Sequence, residues 1–504
     1  MALLLALALS LLIVEVDMPR RKTSAESPTA AVPKTRKPPR TTTAALLETL
    51  QPNAAGIDVG ADELWVCLPE GTEWPRPPNH PDELPARVRR FGTFTADLHA
   101  LVALLRQARV DTVALESTGV YWIALYDLLQ AEGVQVTLVD PRQTQRAPGR
   151  PKTDVKDCMW IQRLHSLGLL SAAFRPDEPI RVLRSYQRHR QSLVEDASRH
   201  IQRMQKALEQ MNLKLTEVLS DITGMTGMAI IRAIVHGERD RHQLAKLRDG
   251  RCKHPEPTIA LALEGTWQTE HLFALKQSLE IYDYYQQQIS SCDQAIETHL
   301  KTLALPDKPA PLAARLHQRK RRGNELHFDA RQRLYEMIGV DLTAIEGIEA
   351  NTALVILSEV GTDMSRWASE KAFGAWLGLA PNPQKSGGKL KSAATRPGRN
   401  RAAQALRLAA RSLHRSHSAL GAFFRRIAAR RGVPKAITAT AYKLARIIYA
   451  MLKHGMAYAS KGMDEYEADY RARQLRLLKK KAKELGFELH EQSAAATEVG
   501  PAAV

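Results

Sequence analysis

Apolar and polar positions change their rhythm several times along the chain, and each change predicts a different kind of structure. Between residues 53 and 170 short apolar runs alternate with amphipathic stretches. AAGIDVG (54–60) and ELWVCLP (63–69) read as a hairpin, and VRRFGTF (88–94) as a third strand. A helix follows over about 95–108, then an apolar strand VDTVALES (110–117), a helix YWIALYDLLQAEG (121–133) with Gly133 as its C-cap, and a strand VQVTLVD (134–140). A loop rich in Pro, Gly and Arg (141–152) leads to a helix from Thr153. From 180 to 303 the pattern is helical. Two long polar-rich stretches, 184–215 and 274–303, flank a shorter segment, which predicts a helical hairpin or coiled-coil insertion, with a plain helical bundle as the equal alternative. Residues 304–328 read as a linker, and 329–462 as a second, mainly helical domain.

The predicted class is therefore α/β followed by α. Three hairpin-like strands and then a βαβ unit in one mixed sheet (51–175) resemble the ribonuclease H fold. In the later domain, DLTAIEGIEANTALVILSEVG (341–361) sets a glycine between short apolar helices. This resembles a helix-hairpin-helix, whose turn amides can meet a phosphate backbone.

The termini differ from the rest. Residues 2–14 (ALLLALALSLLIV) are apolar, but the run is shorter than the ~20 residues a membrane-spanning helix needs. It lacks the positive leading region and the small-residue cleavage site of a secretory signal. The expectation is that Met1 is a misassigned start and that Met18, opening MPRRKTSAES, begins the natural chain. Recovery of intact Met1 by mass spectrometry of the native protein contradicts it. Residues 18–45, rich in Pro, Thr, Lys and Arg, and the low-complexity tail from 485 to 504 are expected to be disordered.

Charge sharpens the picture. Of 504 residues, 72 are Lys or Arg and 54 Asp or Glu, a net charge of +18. From Lys371 to Met463 the sequence holds 19 Lys and Arg and no acid, so this segment carries the whole excess. A soluble surface does not require one sign to be excluded. A polyanion partner does, and nucleic acid is the default. Lys385, Lys389, Lys391, Arg396, Arg399 and Arg401 are the candidate contacts. Four scattered cysteines with no CxxC exclude a disulfide scaffold and a cysteine-based zinc site, and fit a reducing cytoplasm.

Four acids carry candidate chemistry. Asp58 and Glu116 end two predicted strands, and Asp154 and Asp157 stand three apart in KTDVKDC, on one side of a helix. Taken singly, Asp58 is a turn residue, Asp154 a charge favoured at a helix N-terminus, and Asp157 a solvated acid. Taken together, on converging strand ends and a nearby helix, they repel one another unless divalent cations lie between them. Oxygen ligands favour Mg²⁺ or Mn²⁺ over zinc. Two such ions stabilise the attacking and leaving oxygens of a phosphodiester displacement.

GIDVG with Asp58, ALESTGVYW with Glu116 and KTDVKDC with Asp154 and Asp157 resemble the signature of DEDD insertion-sequence transposases. These are RuvC-like enzymes related to Piv invertases, now called bridge-RNA-guided recombinases. The resemblance continues through RSYQRHRQ, HIQRMQKALEQMN, DITGMTGMAIIRAI, GIEANTALVILSEVGTDMSRW, FGAWLGLAPNPQKSGGK and NRAAQALRLAARSLHRS, over about 53–460. It implies a RuvC-like first domain and a catalytic serine in the last, which falls on Ser386 in QKSGGK. Read alone, Ser386 is an ordinary loop serine, and Ser392 is its nearest competitor. Beside it, Gly387 and Gly388 let backbone approach a phosphate, and Lys385 and Lys389 can stabilise a phosphorane. A hydroxyl needs activation, for which the metals are the natural source if the two parts meet around DNA.

The resemblance implies site-specific recombination of the element's own DNA through a 5′-phosphoserine, with an element-encoded guide RNA, at least a dimer or a tetramer in the synapse, a nucleoid-associated place in the cytoplasm and no membrane. The rival expectations are a metal nuclease of Holliday-junction-resolvase type and a catalytically decayed nucleic-acid-binding protein. One departure from the family pattern is Pro151 in PGRPKTD, ahead of Asp154. The long amino-terminal extension is another.

Overall fold

Strict alternation in the first strand decides how the sheet is covered. In β1 (Ala54–Val59), Ala55, Ile57 and Val59 enter one apolar cluster, whereas Ala54, Gly56 and Asp58 face the other way. β1 pairs antiparallel with β2 (Leu64–Cys67), which pairs antiparallel with β3 (Val88–Phe91). On its other side β1 pairs parallel with β4 (Thr112–Glu116), and β4 with β5 (Gln135–Val139). The resulting order is β3-β2-β1-β4-β5. Such a mixed sheet is compatible with the RuvC-like arrangement expected from the sequence.

Helices α1 (Thr95–Gln107) and α2 (Trp122–Ala131) cover one face, through Leu101, Leu105, Leu125 and Leu129. A short α3 (Pro141–Thr144) follows β5, and α4 (Asp154–Ser166) packs on the opposite face, where Cys158 meets Cys67 and Ile161 meets Ala114 and Val139. Contacts inside the computed structural model divide the chain into two units, one ending at Ala173 and one beginning at Phe174. Residues 48–70, 84–144, 153–306, 311–313, 323–398, 400–458 and 463–488 are described. The apolar start and basic tail, the loop with Pro151, Arg399, much of the expected linker and most of the carboxy-terminal tail lie outside them.

The second unit is built on two long helices, α5 (Glu178–Gln210) and α10 (Thr269–Thr302), which pack along each other. α5 stops five residues before the expected 215 because Asn212 takes a left-handed conformation (φ 56°) and Leu213 N–H returns to Leu208 O at 2.9 Å. Midway, the buried carboxylate of Asp293 accepts from Arg190 and from the backbone N–H of His327, 3.1 Å away. Truncating either member of the Arg190–Asp293 pair strands a buried charge, at a cost of about 3–5 kcal/mol.

The two ends of this helix pair serve different cores. At one end Met204, Leu208, Leu275 and Leu279 pack with α6 (Leu215–Val218), α7 (Met225–Val235), α8 (Arg241–Lys246) and α9 (Glu256–Ala262). At the other, Leu183 and Ile296 join a larger cluster with α11 (Ala330–Ile338), α12 (Ala350–Val360), α13 (Glu370–Trp376), α14 (Arg401–Ser412) and α16 (Val433–His454). Between α13 and α14 lies a two-stranded hairpin, β6 (Gln384–Ser386) and β7 (Lys389–Ser392). α15 (Ala419–Arg431) precedes α16, and α17 (Met463–Glu484) follows it. Gly347, the centre of the expected helix-hairpin-helix, has φ 84°, and a Cβ there would lie 2.9 Å from Ala409 O. Both this left-handed backbone and the close approach of α14 call for glycine here. Among the described residues no helix is long and apolar enough to cross a membrane.

Candidate active site

Three elements bring the four acids to one cleft. The parallel register pairs Ile57 with Leu115. One step further, Asp58 and Glu116 are therefore neighbours on adjacent strands, on the face covered by α4. Strand spacing holds their backbones about 5 Å apart.

α4 adds the other two acids from its first turn. Thr153 caps it by accepting from Lys156 N–H at 3.3 Å, and Asp154 and Asp157 follow directly. The helix lies unusually close to β1. A Cβ on Gly56 would sit 2.2 Å from Gln162 N and 2.6 Å from Cys158 O, distances no side chain tolerates. Gln162 donates from Nε2 to Ala54 O at 3.2 Å across this contact. Gly56 thus sets how near Asp154 and Asp157 come to Asp58, two residues further along the strand.

The cleft encloses about 960 Å³ and is lined by Asp58, Asp62, Glu63, Trp65, Glu116, Thr118, Thr144, Asp154 and Asp157, among others. Asp58, Glu116 and Asp157 are half-buried and Asp154 is exposed. Glu116 is held at both oxygens. Thr144 Oγ1 lies 2.9 Å from Oε2 and 2.8 Å from Pro141 O, its single proton shared between the two acceptors, and Thr118 Oγ1 donates to Oε1 at 3.0 Å. Trp160, on α4, donates from its ring N–H to Thr144 O at 3.0 Å, fixing the threonine that fixes the acid. The positive end of α4 faces the group and offsets part of the carboxylates' mutual repulsion.

Their donor chemistry fits a hard divalent cation, since among the described residues no His or Cys lines the cleft. Among the described residues no group of three or more His, Cys, Asp or Glu is already gathered tightly around one point. The fit therefore lies in the donor set and the shared cleft. It is not a closed cage.

Ser386 belongs to the second unit and occupies a different kind of place. It ends β6 and pairs across the hairpin with Lys389. Gly387 (φ 56°) and Gly388 (φ 74°) form the two-residue connection, and positive φ at both positions is what a type I′ turn demands. Ser386, Lys389 and Lys391 are exposed. Here one expectation changes. Lys385 pairs with Leu390, so the pleat turns it to the face opposite Ser386. Lys389, not Lys385, shares the serine's face. Ser392 is half-buried and accepts from Ala394 N–H at 3.2 Å. Arg396 is exposed, and Arg401 opens α14 behind its cap Asn400, which accepts from Ala403 N–H at 3.1 Å.

The residues that sequence reasoning missed are the supports: Gly56, Thr118, Thr144, Trp160 and Gln162. A glycine amid an otherwise side-chain-bearing strand was the available signal for Gly56. Thr118, two residues after Glu116, was also within reach.

Two comparisons bear on this pairing of a strand-end carboxylate cleft with a cationic helical unit, and both indicate an enzyme that cleaves and recombines DNA. Residues 55–213, which contain all four acids, match the DEDD transposase model of the IS110 type, and residues 341–425, which contain Ser386, match the model described as transposase IS116/IS110/IS902 family. The chain belongs to the IS110-family DEDD transposases. No curated protein matches it.

Proposed function

We propose that this transposase excises and inserts its own element by cleaving and rejoining DNA, with Asp58, Glu116, Asp154 and Asp157 as ligands for Mg²⁺ or Mn²⁺ and Ser386 as nucleophile. The observation that carries the reading is the register that sets Asp58 beside Glu116 at the mouth of a cleft shared with Asp154 and Asp157. Divalent cations, when bound, supply Lewis-acid stabilisation of the phosphodiester oxygens.

The chain's own residues do the rest. Thr118 and Thr144 keep both oxygens of Glu116 oriented. α4 presents its two acids from the dipole-positive turn. Ser386 Oγ attacks phosphorus, the bond to the 3′ oxygen breaks, and that oxygen leaves as a hydroxyl after gaining the proton that serine gives up. Lys389, across the hairpin, offers its ammonium to the charge that builds on the phosphoryl oxygens. Rejoining reverses these steps on the exchanged strand. A guide RNA selects the sites by base pairing, while the protein reads backbone and shape. A synapse holding both DNA partners uses two or four copies of the chain on the nucleoid.

A covalent protein–DNA adduct tests the reading. With labelled element-end DNA and Mg²⁺, the wild-type chain yields a denaturant-resistant adduct. Ser386→Ala loses adduct and recombination but keeps DNA binding, and Asp154→Asn loses cleavage. Recombination at the wild-type level by Ser386→Ala refutes the serine assignment.

A second reading rests on one observation: every described residue that lines the carboxylate cleft belongs to the first unit. In it water attacks, as in a Holliday-junction resolvase, and Ser386→Ala still cleaves in Mg²⁺ with no adduct from any variant.

A further inference from the structure

α17 divides sharply by charge. Its first seven residues hold Asp464, Glu465, Glu467 and Asp469, whereas the stretch from Tyr470 to Lys483 holds seven Lys and Arg and no acid. The two halves meet different surroundings. Glu467 accepts from Arg426 on α15 at 2.6 Å, and the same guanidinium lies 3.5 Å from the centre of the Tyr470 ring. The acidic half is thus docked onto a cationic helix of its own unit, and the basic half extends beyond that anchor.

Within the basic half, Arg473, Arg476, Lys480 and Lys483 follow one another at steps of three, four and three, which sets them on one helical face. All four are exposed, while Gln474, Leu475 and Ala482 on the other side are half-buried. Of the four, Lys480 alone has an ionic partner among the described residues, Glu484 at 3.9 Å. An exposed pair of that kind contributes little. The stripe spans eleven residues, ten helical steps or about 15 Å. Duplex DNA carries one negative charge per ~1.7 Å of its axis, so four cations over that length match a run of phosphates.

We propose that Arg473, Arg476, Lys480 and Lys483 form a nucleic-acid backbone site for duplex DNA, lying beyond both family-matched segments. It rests on the reading that the chain acts on DNA. Duplex DNA is favoured over an anionic membrane because the helix follows directly on the acid-free segment Lys371–Met463, whose concentrated positive charge already points to nucleic acid.

The test uses the full chain and a fluorescent duplex of arbitrary sequence, with affinity measured over a range of KCl concentrations. For Arg473→Gln/Arg476→Gln/Lys480→Gln/Lys483→Gln, the dependence of log affinity on log salt becomes shallower by about two to four, and affinity at low salt falls at least about tenfold. A charge-keeping variant with Lys at 473 and 476 and Arg at 480 and 483 retains the wild-type slope. If the neutralised variant keeps the wild-type slope, the stripe is overturned while DNA binding elsewhere stands. If both variants lose it equally, charge is not the cause and the proposal fails. If the wild-type chain shows no salt-dependent DNA binding, this site and the broader reading fall together. Sedimentation of the wild-type chain with phosphatidylserine vesicles, alongside an unchanged DNA slope in the neutralised variant, reassigns the stripe to membrane and also overturns it.

Discussion

Asp58 and Ser386 each stand at or next to the end of a strand, yet the two strands hold their residue by different means. β1 lies inside a five-stranded sheet, covered on both faces, and its register with β4 places Asp58 beside Glu116. β6 is three residues long, fully exposed, and paired with one partner strand across a turn of two glycines. An isolated two-stranded hairpin is marginal in water. The acids are therefore positioned by packing that cannot relax without unfolding the sheet, whereas the serine is carried on a segment free to adjust to what it binds. The comparison teaches that charge placement in this protein is a property of the core, and placement of the proposed nucleophile a property of a surface hairpin.

The comparison can be broken at its rigid side first. Asp58→Asn is expected to cut Mg²⁺-dependent cleavage by at least about a hundredfold, with no loss of thermal stability, since one like charge leaves a crowded cleft. A large drop in melting temperature contradicts the view that this acid is retained for chemistry. Gly56→Val comes next. It forces α4 off β1, and the expected outcome is about 1–3 kcal/mol of destabilisation in urea melts together with loss of cleavage. Unchanged stability means that α4 does not lie where described.

Thr144→Val removes one of the two hydroxyls on Glu116 and keeps the volume. About a tenfold loss of cleavage at constant DNA affinity is expected, from the lost orientation of one carboxylate oxygen. The flexible side predicts smaller and asymmetric effects. Lys389→Gln lowers adduct formation several-fold more than Lys385→Gln, because only the first shares the face of Ser386. Equal effects from the two remove that distinction.

A last prediction concerns stability alone. His165 is buried, its Nε2 lies 2.9 Å from Thr112 Oγ1, and burial pulls its pKa down to about 4 from the usual 6.5. The depressed value means that folding is favoured by the neutral ring. That stability is complete above about pH 6.5 and is lost as pH falls toward 4, by up to about 3 kcal/mol. His165→Gln should flatten the urea midpoint over this window.

Much of the first unit was legible because its signals are local. Short apolar runs marked β1 and β4, spacing of three put Asp154 and Asp157 on one helix, and Thr153 announced where that helix begins. The supports were not legible because they act across the chain. Thr144 reaches Glu116 over 28 residues, and Gln162 reaches Ala54 over 108. In the second unit the two long helices were visible as patterns. The separate core at one end of them was not, since α6, α8 and α9 have four to seven residues each, too few to set a period. The facing of Lys385 away from Ser386 depended on a strand register that the glycine pair alone does not reveal. α17 was passed over because its apolar positions are few and its charge reads as surface.

The central claim is that Asp58, Glu116, Asp154 and Asp157 act as one divalent-cation site. Titration of the DNA-bound chain with Mn²⁺, followed by electron paramagnetic resonance, tests it most directly. The account predicts saturation near about two ions per chain for the wild type, and loss of that binding when Asp58→Asn and Glu116→Gln are combined. Equal Mn²⁺ binding by the wild type and the double variant contradicts it.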